Sequence, residues 1–150
     1  MTTALDAAKV LEEAECLYTR EEVDSTIERM AAAINVDYDG LTPVVLCVMN
    51  GGVVLAGHLL PRLSPVLEFD YMHATRYRGH TSGGRLHWIQ RPSQPLEGRV
   101  LLLVDDILDE GVTLAEIARD CRARGARKVL SAVLVEKRHE RKNDFCADFV

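Results

Sequence analysis

The chain has 150 residues, 47% hydrophobic and 27% charged, with a net charge of −5 and aromatic residues at only 5%. A chain of this length can bury one full core, about 68–70% of its unfolded surface. The dispersed basic residues and scarce aromatics exclude an extended nucleic-acid groove, so small molecules or further subunits are the expected partners.

In chain order, Ala4 to Leu17 and Arg20 to Ile34 carry helical spacing, the second opened by Thr19 with Glu22 following at capping-box distance. Val44 to Val48 is a strand, and Val53 to Leu60 is a short helix stopped by Pro61. Pro65 to Thr75 reads as a strand in which Leu67, Phe69 and Tyr71 alternate with Glu68 and Asp70, a pattern that predicts one solvated face. Arg76 to Gly84 is a loop rich in Gly, Ser, Thr and charge, after which Leu86 to Gln90 pairs back as an antiparallel partner. Arg91 to Gly98 is a turn-rich connection. The unbroken apolar run Val100 to Val104 suits a central parallel strand covered on both faces. A helix with Leu114, Ile117, Ala118 and Cys121 on one side follows, then a last parallel strand, Val129 to Val135, and a final stretch, Phe145 to Val150. Strands alternating with helices predict an α/β fold, a doubly wound and mainly parallel sheet flanked by helices.

Cys16, Cys47, Cys121 and Cys146 are widely spaced, which disfavours zinc and predicts buried free thiols in a reducing cytosol. His58, His73, His80, His87 and His139 form no ligand pattern and read as surface or packing residues; Met49 and Met72 read as core fillers. The amino terminus lacks a basic, apolar signal region and no apolar run approaches the ~20 residues of a spanning helix, so a cytoplasmic protein without membrane contact is expected.

Two segments carry chemistry. In the first, the strand Val100 to Val104 ends in Asp105 and Asp106, which a buried strand would not tolerate and which therefore belong at its carboxyl end, where α/β sheets bind ligands. Gly111 lets backbone approach a ligand, and the helix start at Thr113 offers free amides and a hydroxyl to an anion. Asp105, Asp106, Asp109 and Glu110 should nevertheless repel a phosphate. The contradiction restricts the ligand: hydroxyls for the carboxylates, a phosphate for the amides and a divalent cation to offset the charge, which a phosphorylated ribose with magnesium satisfies. In the second, Met49-Asn50-Gly51-Gly52 joins the first strand to a helix, and its paired glycines turn backbone amides toward an anion.

Two acids followed by a short loop with Asp, Gly and Thr resemble the signature of the type I phosphoribosyltransferases, and most of all the hypoxanthine-guanine branch, over about residues 10 to 150. The resemblance implies transfer of phosphoribosyl from phosphoribosyl pyrophosphate to a 6-oxopurine with release of pyrophosphate. It implies Mg2+ as cofactor, with Asp105 and Asp106 holding ribose hydroxyls and positioning the metal, and Glu110, Gly111, Val112 and Thr113 forming the 5′-phosphate loop. Asn50 and Gly51 would face the pyrophosphate; Asn50 stands where the family often has Lys, and a non-proline cis peptide is expected at Asn50-Gly51. Asp109 would be the catalytic base near purine N7. Lys137 would mark the 6-oxo group, and Tyr77 would lie on a closing loop in which Arg76 replaces the family's Ser. Glu110 replaces a common Thr and must point away from phosphate.

The resemblance further implies a homodimer or homotetramer. The family continues beyond the position of Val150 with a hood segment that stacks on the base and supplies a late metal-binding Asp, so a single domain truncated at its carboxyl end is expected. Two alternatives share the signature: a phosphoribosyl-binding module without turnover, and a pyrimidine-type regulator that binds RNA, the latter disfavoured by the acidic balance.

Overall fold

The computed structural model describes residues 4–76, 86–140 and 144–150. The chain runs α1 (Ala4–Glu13), α2 (Arg20–Asp37), β1 (Val44–Val48), α3 (Val53–Leu59), a 3-10 turn (Leu60–Arg62), β2 (Glu68–Arg76), β3 (Leu86–Gln90), β4 (Val100–Leu108), α4 (Val112–Ala123) and β5 (Lys128–Glu136). The sheet has the order β3-β2-β1-β4-β5. Its β1–β2, β1–β4 and β4–β5 pairs are parallel and β2–β3 is antiparallel. This is the predicted mainly parallel α/β sheet. Among the described residues no helix is long and apolar enough to cross a membrane.

Period-two alternation along the central strands sends successive side chains to opposite cores. Val44, Leu46 and Val48 of β1 with Leu101 and Leu103 of β4 pack with Leu114, Ile117, Ala118 and Cys121 of α4. Val45 and Cys47 with Leu102 and Val104 pack instead with Ile27, Met30, Ala31 and Ile34 of α2 and with Leu55, Ala56 and Leu59 of α3. The helix after β1 and the helix after β4 thus cover opposite faces, and the chain leaves β1 toward β2 but leaves β4 toward β5. Between the carboxyl ends of β1 and β4 lies the switch point at which such sheets open a ligand crevice.

Several local expectations need correction. Helix α1 stops at Glu13 rather than Leu17, because Val10, Leu11, Leu17 and Tyr18 are all exposed and no packing holds a further turn. Helix α2 has the predicted capping box, Thr19 with Glu22, but runs on to Asp37, followed by the buried Tyr38, whose hydroxyl donates to Leu101 O at 2.9 Å.

On β2 the solvated face is the opposite of the one the alternation suggests: Phe69 and Tyr71 are 47% and 44% exposed, whereas Asp70, Met72 and Ala74 are buried. Asp70 is tolerated inside because Tyr71 N, Ser93 N, Ser93 Oγ and Gln94 N donate to its carboxylate at 2.7–2.9 Å. Burial acts to raise its pKa, but those hydrogen bonds from Gln94, Tyr71 and Ser93 outweigh it and hold the carboxyl below the usual range. Of the four free cysteines only Cys47 and Cys121 are buried; Cys16 and Cys146 are exposed. Met72 is a core residue as expected, and Met49 packs against the core from its edge.

Candidate active site

Strand β4 does not end at its acids. Its pairing with β1 stops at Val104, opposite Cys47, but its pairing with β5 continues through Asp105↔Val133 and Ile107↔Val135 to Leu108↔Glu136. Asp105 and Asp106 therefore stand on a strand extension that overshoots β1, where one flank is open and their carboxylates escape full burial. The Asp106 amide donates to Asp105 Oδ1 at 2.9 Å and the Ile107 amide to Asp106 Oδ1 at 2.8 Å. Burial, and after it the charge and side chain of Asp106, push the Asp105 carboxyl up to about 7 despite the stabilising Asp106 amide. Burial and the charge of Asp105 in turn push the Cys47 thiol up to about 11.

The loop after β1 abuts these acids. The Met49 amide donates to Met72 O at 2.8 Å, and the Gly52 amide returns to Val48 O at 2.9 Å, closing a tight turn around Asn50 and Gly51. The cis peptide is Met49-Asn50, one bond earlier than expected. A Cβ on Gly51 would lie 2.6 Å from Asp106 Oδ1, and one on Gly52 would collide with Val104 O, so both glycines are needed for the loop to lie against β4. Asn50 is exposed beside them. Tyr18, Thr19, Arg20 and His58 share a hollow with Gly51 and Asp106.

On the other side of the acids, Asp109 to Gly111 link β4 to α4. Gly111 caps the helix with φ of 76°, in the left-handed region, and no side chain caps α4, so no side-chain acceptor satisfies its first-turn amides; Val112 and Thr113 there are half-buried. Lys137 directly follows β5, and its amide donates to Leu108 O at 3.0 Å, tying the two strand ends together. Its ammonium lies 3.1 Å from Asp109 Oδ2. The other oxygen, Oδ1, is 2.7 Å from His139 Nε2, a contact the sequence reading did not anticipate. Hydrogen bonds from His139 and Lys137, reinforced by their charges, hold the Asp109 carboxyl below its usual range.

One end of the sheet thus gathers Asn50, Gly51, Asp105, Asp106, Asp109, Glu110, Gly111, Val112, Thr113 and Lys137. Tyr77 and most of the loop assigned to it lie outside the described residues.

Residues 14–150 match the profile of the phosphoribosyl transferase domain. The chain belongs to the phosphoribosyltransferase family. Within that family it is 30% identical over 135 residues to the hypoxanthine-guanine phosphoribosyltransferase of Bacillus subtilis, a match spanning 89% of this chain and 75% of the relative. The crystal structure of a hypoxanthine phosphoribosyltransferase from Staphylococcus aureus superposes with a TM-score of 0.86 at 24% identity, over 93% of this chain and 78% of that one. That of Trypanosoma cruzi hypoxanthine phosphoribosyl transferase, solved in work on the role of its C-terminal region in oligomeric state and activity, gives 0.82 at 26% identity over 90% and 75%. The resemblance to the hypoxanthine-guanine branch is borne out, and family membership makes the chain a transferase.

Proposed function

We propose that this chain transfers the phosphoribosyl group of phosphoribosyl pyrophosphate to hypoxanthine or guanine, giving IMP or GMP and pyrophosphate in purine salvage. The observation that carries the reading is the contact of Gly51 with Asp106, which sets one amide-rich loop against the paired acids while the α4 loop flanks them on the other side. The names of the curated relatives favour it over a module without turnover or an RNA-binding regulator.

In this reading Gly111, Val112 and Thr113 bind the 5′-phosphate with backbone amides and a hydroxyl. Asp105 and Asp106 accept hydrogen bonds from the ribose hydroxyls, and Asn50 and Gly51 meet the pyrophosphate through backbone and amide groups. Asp109 takes the purine proton, Lys137 leaves it to donate to the 6-oxo oxygen, and Tyr77 belongs to the covering loop. Glu110 turns its carboxylate from the phosphate.

The donor set fits magnesium. Asp105 and Asp106 offer adjacent hard oxygens, and the raised Asp105 carboxyl marks a place where added positive charge is favourable. Among the described residues no group of three or more His, Cys, Asp or Glu forms a cage. Magnesium is commonly held by one or two carboxylates together with substrate phosphates, so these two residues suffice. When bound, the ion offsets charge on the departing pyrophosphate.

We take the chain to be one phosphoribosyltransferase domain acting in the cytoplasm, where its free thiols suit a reducing compartment, as a homodimer or homotetramer without nucleic acid. Incubation with phosphoribosyl pyrophosphate, Mg2+ and hypoxanthine or guanine, with chromatography of the products, tests the activity. Nucleotide and pyrophosphate should appear in equal amounts. Tight binding of phosphoribosyl pyrophosphate with no nucleotide from either base would replace the enzyme by the binding module.

A further inference from the structure

We propose that Arg20, the first residue of α2, binds the pyrophosphate end of phosphoribosyl pyrophosphate and supplies the positive charge that the β1 loop lacks. The inference rests on the reading of that loop as the pyrophosphate site.

Charge is unevenly distributed around the acids. On the β5 flank, the Lys137 ammonium lies 3.1 Å from Asp109 Oδ2. On the β1 flank, Met49-Asn50-Gly51-Gly52 carries no charged side chain. Yet this loop lies so close to Asp106 that a Cβ on Gly51 would stand 2.6 Å from its Oδ1. Loop amides alone would have to hold the most highly charged part of the donor beside a carboxylate. The hollow next to the loop offers a cation. It encloses about 240 Å³, far more than a water molecule requires, and Gly51 and Asp106 line it together with Arg20, Asp24 and His58. Among the described residues lining it, Arg20 carries the one permanent positive charge.

Local sequence puts Arg20 there. The capping box of Thr19 and Glu22, with hydrogen bonds of 2.7 and 3.3 Å, fixes where α2 begins and makes Arg20 its first helical residue. Side chains on a helix lean toward its amino-terminal end, so Arg20 projects past the start of α2, the end that meets Gly51 and Asp106. Arg20 is exposed, and its guanidinium has no ion pair or side-chain hydrogen bond among the described residues. Asp24 stands at ion-pairing spacing on the same helix but leaves it unpaired. The guanidinium is thus available to a ligand rather than committed to structure. Its planar fork can give two parallel N–H donors to one phosphoryl group, a match that an ammonium lacks.

Calorimetry separates the two ends of the donor: pyrophosphate with Mg2+ probes the β1 loop, and GMP probes the 5′-phosphate loop. Arg20→Gln should weaken pyrophosphate binding roughly 10-fold or more, the worth of one or two charge-assisted hydrogen bonds, and leave GMP within about two-fold. Arg20→Lys, which keeps the charge but not the fork, should fall between parent and Arg20→Gln. In steady-state kinetics Arg20→Gln should raise KM for phosphoribosyl pyrophosphate by a similar factor and leave KM for hypoxanthine unchanged. Thermal melting should match the parent, since no contact of the folded chain is lost. Unchanged pyrophosphate affinity in Arg20→Gln, or an equal loss for GMP, would overturn the proposal. A parent that itself binds neither pyrophosphate nor phosphoribosyl pyrophosphate would instead remove the β1 loop as the pyrophosphate site, and the role of Arg20 with it.

Discussion

Replacing Gly51 by Ala tests whether the contact between the β1 loop and the acids of β4 is functional. The added Cβ would stand 2.6 Å from Asp106 Oδ1 and 2.7 Å from its Cγ and Oδ2, where ordinary contact begins at 3.4 Å, a deficit of about 0.8 Å. Asp106 has a short side chain, and its Oδ1 already accepts from the Ile107 amide, so it can retreat only by giving up that hydrogen bond. Either the carboxylate or the loop must move by most of the deficit, and a misplacement approaching 1 Å at a reacting centre is worth ~10²-fold in rate. The stability cost should be modest, ~1–3 kcal/mol, the usual range for forcing an extra methyl into a packed site. The control is Gly57→Ala, in the exposed middle of α3, where a Cβ meets nothing within 4 Å; it should be neutral or stabilising by ~0.5–1 kcal/mol. Thermal melting and kcat/KM for phosphoribosyl pyrophosphate at saturating Mg2+ would be compared across the two variants. If Gly51→Ala kept its parent's kcat/KM within a few-fold while remaining folded, the contact would be incidental and the central support for the proposed function would be gone.

Asp109→Asn should leave substrate binding nearly intact and lower kcat by ~10²–10⁴-fold, checked by pairing calorimetry with turnover; lost affinity at unchanged kcat would make this carboxylate structural. Phosphoribosyl pyrophosphate should bind only with Mg2+ present, because the acids repel bare phosphates; equal calorimetric affinity with EDTA would remove the metal from Asp105 and Asp106. Asp70→Asn should cost ~1–3 kcal/mol in urea denaturation near neutral pH, the worth of hydrogen bonds to a buried charge. Since the folded Asp70 carboxyl is held below its unfolded value, its contribution is complete above the unfolded pKa and disappears as pH falls through the folded one. The gap between parent and variant should therefore narrow in acid, and a gap that widened there would contradict the depressed pKa.

What could be read from the chain, and what could not, divides by the range of the interactions responsible. The bounds of β1 and β3, the Thr19–Glu22 box and the buried set Leu114, Ile117, Ala118 and Cys121 are all as expected, because each is set by spacing within a few residues. The inverted face of β2 was illegible because the burial of Asp70 depends on donors at Ser93 and Gln94, more than twenty residues away. The continuation of β4 past Val104 depends on β5, not on its own apolar content. His139 lies in a run of charges that reads as a solvated turn, and its partner Asp109 is 30 positions earlier. The gathering of the glycine loops and the paired acids at one sheet end was legible for the opposite reason: glycines and carboxylates at a strand end conflict with local packing, and the conflict itself marks the candidate site.

The two loops proposed to bind the phosphates spring from β1 and β4, which are hydrogen-bonded neighbours. Adjacent strands sit ~4.8 Å apart and cannot be stretched without breaking their ladder. The separation between the loop assigned to pyrophosphate and the loop assigned to the 5′-phosphate is consequently set by main-chain hydrogen bonding, and side chains adjust only how tightly each end is gripped. Under the proposed function, the sheet would work as a fixed gauge for the distance between the two phosphate-bearing ends of the sugar. Substitutions around the rim can tune affinity, but accepting a longer or shorter ligand requires rebuilding the loops themselves.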